Sequence, residues 1–291
     1  MQPNPDVDSR PFVVTGGTSG IGLEVARGLV RAGKHTVIVG RDEDKTRRAA
    51  EQLRSSDPNA RVDYLVADLS TLAGPRSLAS TLASRFDRIG GLVNNAGAVF
   101  ARRQESADGV ELTFALNVLA PFVLTERLMG RLASGAPARV VNISSDAHKS
   151  GHLDFDDLES RKKYSGFGVY SNSKLALVML TYEFARHADP RVVSVNAVHP
   201  GFVRTRFGQN NGGGFALAVR AAGVFAINAE AGARTPLYAL LSPEVAGVTG
   251  RYFYKEKATP TLPESYDAAA AARLWAWCET RSGSNGGATP P

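Results

Sequence analysis

Tyr170 and Lys174 stand four residues apart, and Ser145 precedes them. On a helix that spacing puts the phenol and the ammonium on one face. A free phenol titrates near about 10, too high for good proton exchange at neutral pH, and a neighbouring ammonium lowers that value by favouring the phenolate. A nearby hydroxyl such as that of Ser145 can hold the oxygen that receives the proton. These residue types fit proton transfer at a carbonyl/alcohol pair. Alone, a Tyr and a Lys at helical spacing are more simply a surface pair, so the weight falls on what surrounds them.

A second constellation is Thr15-Gly16-Gly17-Thr18-Ser19-Gly20-Ile21-Gly22, between an apolar run and an amphipathic one. Glycines let a backbone turn tightly and approach a pyrophosphate, and a helix N-terminus supplies free N–H groups and a favourable dipole. Gly16, Thr18, Ser19, Gly20, Ile21 and Gly22 are therefore candidate cofactor contacts. The spacing differs from the usual G-x-G-x-x-G, and a purely structural turn is the competing reading. The next strand ends in Gly40-Arg41. An acid there binds a ribose 2′-OH, whereas an Arg accommodates a 2′-phosphate. Gly40 leaves room and Arg41 follows, which predicts NADP(H) preferred over NAD(H). A solvated Arg41 is the alternative, and Asp42 works against the preference.

These residues need a frame. Short β-rich runs at 11–15, 35–39, 62–67, 91–94, 139–143, 192–198 and 251–254 alternate with helical patterns at 21–32, 44–55, 78–86, 110–132 and 170–187. Such alternation predicts an α/β chain: a Rossmann-type doubly wound parallel sheet of about seven strands with helices on both faces. Right-handed crossovers bring the strand C-terminal ends to one rim, where ligands bind. A single domain is expected over 10–281, with mobile tails at 1–9 and 282–291. After His199-Pro200-Gly201 the alternation breaks into a Gly-rich stretch and an apolar run, read as a substrate lid at about 202–228. An ordinary packed helix and a membrane-surface helix are the alternatives. Phe202, Phe207, Phe215 and Phe225 are candidates for an apolar lining, although core packing explains a Phe as often.

The 291 residues are 43% hydrophobic with a net charge of +6, and the basic residues form no block of the kind that binds nucleic acid. The single cysteine, Cys278, excludes an internal disulfide framework and a cysteine-cluster metal site, and five separated histidines show no metal-binding spacing. No metal is expected. The start is polar and Pro-containing, and no apolar run reaches about 18 residues. These features predict a soluble cytoplasmic protein without stable membrane insertion.

Taken together, the motifs resemble the short-chain dehydrogenase/reductase family. The matching pieces are the Thr15–Gly22 loop, Asp68-Leu69, Asn94-Asn95-Ala96-Gly97, Asn117, Ser144-Ser145, Tyr170-x-x-x-Lys174 and Pro200-Gly201, in the family's order over most of the chain. Gly250-Arg251-Tyr252-Phe253, Tyr266-Asp267, Ala272-Arg273-Leu274-Trp275 and Ser144-Ser145-x-Ala147-His148 are similar to the retinol dehydrogenase-like branch. The resemblance implies a catalytic set of Asn117, Ser145, Tyr170 and Lys174. Tyr170 would be the acid/base, Ser145 the oxyanion donor, and Lys174 with Asn117 the proton relay. It implies cofactor contacts from Asp68, Leu69, Asn95, Ala96, Gly97, Tyr170, Lys174, Pro200, Gly201, Val203 and Thr205. Of the neighbouring serines, Ser145 rather than Ser144 would reach the substrate. A lipophilic ketone, aldehyde or alcohol is the implied substrate, natural products included. A non-redox elimination, isomerisation or cyclisation in the same site is the alternative, and an NADP(H)-sensing binding protein is a further one. Relatives associate through the helices at 110–132 and 170–187, so a homodimer or homotetramer is implied.

Overall fold

A computed structural model describes residues 9–201 and 228–283. The lid segment, with Val203, Thr205 and the four phenylalanines above, lies outside the described residues apart from Asn228.

In chain order the elements are β1 (Phe12–Thr15), α1 (Gly20–Arg31), β2 (Thr36–Gly40), α2 (Glu43–Arg54), β3 (Val62–Val66), α3 (Ala73–Arg85), β4 (Gly91–Asn94), α4 (Leu112–Ser134), β5 (Ala138–Ile143), α5 (Gly166–His187), β6 (Val193–His199), α6 (Ala229–Leu241), β7 (Tyr252–Tyr254), β8 (Lys257–Ala258) and α7 (Ala268–Ser282). The sheet order is β3-β2-β1-β4-β5-β6-β7-β8. Strands β1 to β7 pair in parallel, and β8 is an antiparallel edge. The order reverses between β1 and β4, which opens a crevice at the strand C-terminal ends.

Alternating side chains feed the two faces. Val13, Val37 and Val39 enter one core beneath α3, α4 and α5. Val14 joins a core with Leu29 and Leu240, from α1 and α6, and Ile38 joins one with Ala50 and Leu53 of α2. Helices thus cover both faces, as the alternation predicts. The eighth strand was not expected from the sequence. The turn into it puts Lys255 at φ 49° and Glu256 at φ 63°. Two positive values are what a tight hairpin needs, but Lys and Glu lack the Asn-Gly signature that announces one.

Helix α4 is long and apolar enough to cross a membrane by composition, with a mean hydropathy of 1.3, yet 72% of that stretch is buried inside the domain. Its apolarity serves the core. The final helix α7 lies on the outer side of α4 and α5: Trp275 packs on Phe122 and Phe184, and Trp277 meets Phe114 edge-on. Arg281 pairs with Glu159, and Arg76 donates to the Ser282 carbonyl. The helices expected to carry subunit contacts therefore hold a helix of their own chain across part of their outer surface.

Candidate active site

The loop after β1 turns through Gly16 at φ 65° and Gly20 at φ 56°, both in the left-handed region. A Cβ at Gly22 would overlap the Gly16 carbonyl and the Asn95 amide, so only glycine allows α1 to start this close to the loop. Ser19 precedes α1 without its side chain capping an N–H, and the first turn carries no acid. The helix therefore presents free N–H groups and its positive end to the loop, an arrangement that suits an anion. Thr18 and Ile21 lie on the same turn.

The loop is braced from β4. Asn95 Nδ2 donates to the Thr15 carbonyl (2.8 Å) and the Gly16 carbonyl (3.3 Å), and the Asn95 and Ala96 N–H groups donate to Thr15 Oγ1, each at 3.0 Å. Asn94 instead points into the core, donating to Thr125 Oγ1 and Asn142 Oδ1. Gly97 lies between this brace and the catalytic helix: a Cβ there would come within 3.0 Å of Asn117 Oδ1.

Asn117 sits in α4 where residues Ala115–Leu119 widen into a π-helical turn. Its Oδ1 accepts from the Ala98 N–H (2.9 Å), and its Nδ2 donates to the Ala98 carbonyl and to Ser173 Oγ, each at 3.0 Å. Both amide protons are committed, so Asn117 acts as a clamp between the β4 loop and α5. Ser173, which the sequence reading passed over inside the Tyr170–Lys174 motif, completes this link by donating to the Tyr170 carbonyl (2.7 Å).

Tyr170 and Lys174 share one face of α5, with Lys174 Nζ 5.6 Å from the Tyr170 ring centre. Lys174 Nζ donates to the Ile143 carbonyl (2.9 Å), and Ser144 Oγ to the Lys174 carbonyl (3.2 Å). Ser144 is thus structural. Of the two serines, it is the Ser145 hydroxyl that lies near enough to the Tyr170 phenol to act on its pKa. The electrostatics run against the sequence expectation. Burial pushes the Tyr170 phenol up to about 12, and the nearby Ser145 hydroxyl only partly offsets this. Burial likewise pushes the Lys174 ammonium down to about 8. Tyr170 as a whole residue is part exposed, but desolvation of its phenol is the largest influence on its pKa. The phenol is therefore a proton-bearing acid at neutral pH, not a lowered one.

At the other end of the rim, Arg41 and Asp68 are exposed at the ends of β2 and β3. Asp68 Oδ1 accepts from the Ser70 N–H (3.0 Å) and hydroxyl (2.6 Å); the Ser70 hydroxyl chiefly, with help from the Arg41 charge, holds this carboxyl below its usual range. Gly40 does not leave open room: a Cβ there would meet Thr46 and Thr18, so its smallness serves packing. Leu69 is 6% exposed and belongs to the core, which leaves its backbone as the part facing the rim. Pro200 and Gly201, the latter at φ 90°, close the rim after β6. Among the described residues no group of acids, histidines and cysteines could hold a metal ion.

The short chain dehydrogenase family model matches residues 11–213. The chain belongs to that family. This short-chain dehydrogenase is 35% identical over 276 residues to human retinol dehydrogenase 13, covering 93% of this chain and 83% of that one. It is 36% identical over 280 residues to human polyprenol dehydrogenase, covering 94% and 84%. Its fold matches a solved active-site complex of Pseudomonas aeruginosa RhlG with NADP, at a TM-score of 0.66 and 30% identity over 87% of this chain and 97% of that one. The chain is thus an NAD(P)-dependent oxidoreductase acting on CH–OH and C=O groups, in the retinol dehydrogenase-like branch.

Proposed function

We propose that this dehydrogenase uses NADP(H) to interconvert a lipophilic ketone or aldehyde and its alcohol. The observation that carries the reading is the placement of Tyr170 and Lys174 on one face of α5, Lys174 Nζ 5.6 Å from the Tyr170 ring centre, with Ser145 beside the phenol. The glycine loop and the N-terminus of α1 would cradle the dinucleotide phosphates, with Thr18, Ser19 and Ile21 on that turn. Asn95, Ala96 and Gly97 would line it, and Pro200, Gly201, Val203 and Thr205 would cover its reactive end. When bound, the nicotinamide supplies or accepts hydride at the substrate carbon.

The chain's own groups handle the oxygen and its proton. Tyr170 donates to the carbonyl oxygen as general acid in reduction. Ser145 donates a hydrogen bond to the same oxygen and stabilises charge where it develops. Lys174, protonated below about 8, supplies positive charge beside the phenolate that forms. Asn117 holds the Ala98 carbonyl and α5 in register rather than passing protons itself. Arg41 would pair with a 2′-phosphate, and NADP in the RhlG complex supports that preference. The names retinol dehydrogenase and polyprenol dehydrogenase support a long apolar alcohol or carbonyl as substrate.

We read the protein as not stably inserted in a membrane through its described helices, because the one sufficiently apolar helix among them belongs to the core. A homodimer or homotetramer would have to use surface other than that under α7. The deciding experiment incubates lipophilic ketones and aldehydes with NADPH or NADH while following cofactor absorbance and product together. NADPH consumed in step with alcohol formed is the expected result. Product without net cofactor consumption would replace this reading with a non-redox reaction.

A further inference from the structure

Among the described residues, four of the seven buried side-chain polar atoms without a hydrogen-bond partner belong to His148 or to residues near it or its turn: His148 Nε2, Tyr252 Oη, Ser171 Oγ and His199 Nδ1. Native interiors rarely leave such atoms unmatched, and a cluster of them calls for an explanation. His148 links them to the chemistry. Its backbone N–H (3.1 Å) and its ring Nδ1 (2.8 Å) both reach the Ser145 carbonyl. A carbonyl only accepts, so Nδ1 carries the proton and Nε2 is left as an acceptor. Burial holds the ring below its ordinary value, in keeping with a neutral imidazole.

The turn that His148 closes has a second effect. It aims the Ala147 N–H at Ser145 Oγ (3.2 Å), which occupies an acceptor site of that hydroxyl. The hydroxyl proton is then directed to the side of Tyr170 and the reacting oxygen. The Tyr252 ring lies against that of His148, with centroids 4.8 Å apart. Both residues are at most 2% exposed. Nε2 needs a donor and the Tyr252 hydroxyl can both donate and accept, which is the pairing a buried bridging water satisfies.

We propose that His148 is a positioning residue for Ser145, fixing its carbonyl through the ring and sharing one ordered water with Tyr252 behind the catalytic hydroxyl. This rests on the role given to Ser145 above, and the test separates the two. Turnover and KM for a lipophilic carbonyl are measured for S145A, H148A, H148N, Y252F and the S145A/H148A double variant, with NADPH dissociation followed by calorimetry. H148A lowers kcat roughly 10- to 100-fold, the scale of a misplaced catalytic group, with NADPH affinity unchanged. H148N, whose amide can donate to the same carbonyl, recovers most of that loss. In the S145A background H148A costs nothing more, because both act through one hydroxyl. Y252F gives a smaller loss that also vanishes in S145A. Equal costs in both backgrounds, or H148N as slow as H148A, overturn the inference. A slow S145A beside a full-rate H148A overturns it alone; a full-rate S145A overturns the Ser145 role and the inference with it. If H148A does not fold, H148N and Y252F, each alone and combined with S145A, decide the matter.

Discussion

At the β5–α5 end of the rim, Asn117 and Ser173 are fully buried, Ser144 is 3% exposed and Lys174 5%, and all four are tied into named hydrogen bonds. At the β2–β3 end, Arg41 and Asp68 are both exposed and interact through charge across solvent. One end is pre-organised and desolvated, and there burial sets the pKa values. The other is a surface on which water screens each charge. The contrast assigns chemistry to the first end and cofactor choice to the second. Precise proton transfer needs atoms that cannot move, whereas discrimination between two nucleotides needs only a charge within reach.

Y170F is the strongest test of the contrast. It should lower kcat by about 10³-fold or more, near the upper range for general acid loss, while NADPH binding stays nearly intact. Loss of binding in step with turnover would erase the separation. S145A should cost about 10²- to 10³-fold in kcat, as for other oxyanion donors. The reduction rate should next fall as pH rises past about 8, where Lys174 loses its proton, while Tyr170 keeps its own up to about 12. A rate that stays level to pH 10 would mean the Lys174 charge is not needed. At the exposed end, R41A should raise KM for NADPH by roughly 10- to 100-fold, the worth of a charge-assisted bond, and leave NADH and kcat almost unchanged. D68N should do least, shifting KM for either nucleotide by less than about fivefold, as expected for an exposed charge. A kcat effect of R41A as large as that of S145A would break the division.

The contrast also shows what the sequence could convey. Motifs made of neighbours, such as the glycine loop and Tyr170–Lys174, were legible, as were the seven main strands. Braces between distant residues were not: Asn95 grips Thr15 from 80 positions away, and Asn117 meets Ser173 across 56. The upward shift of the Tyr170 phenol was not legible because pattern shows the neighbouring ammonium but not burial. Helix α3 begins at Ala73, earlier than expected, since Gly74-Pro75 looks like loop although Pro fits a first helical turn. Helix α6 was missed behind its internal Pro236.

The docking of α7 has a practical consequence. The chain contains two tryptophans, and both lie on this one helix, facing Phe114, Phe122 and Phe184. Every indole in the protein therefore looks onto a single seam, so intrinsic fluorescence is a local gauge of whether the terminal helix is seated.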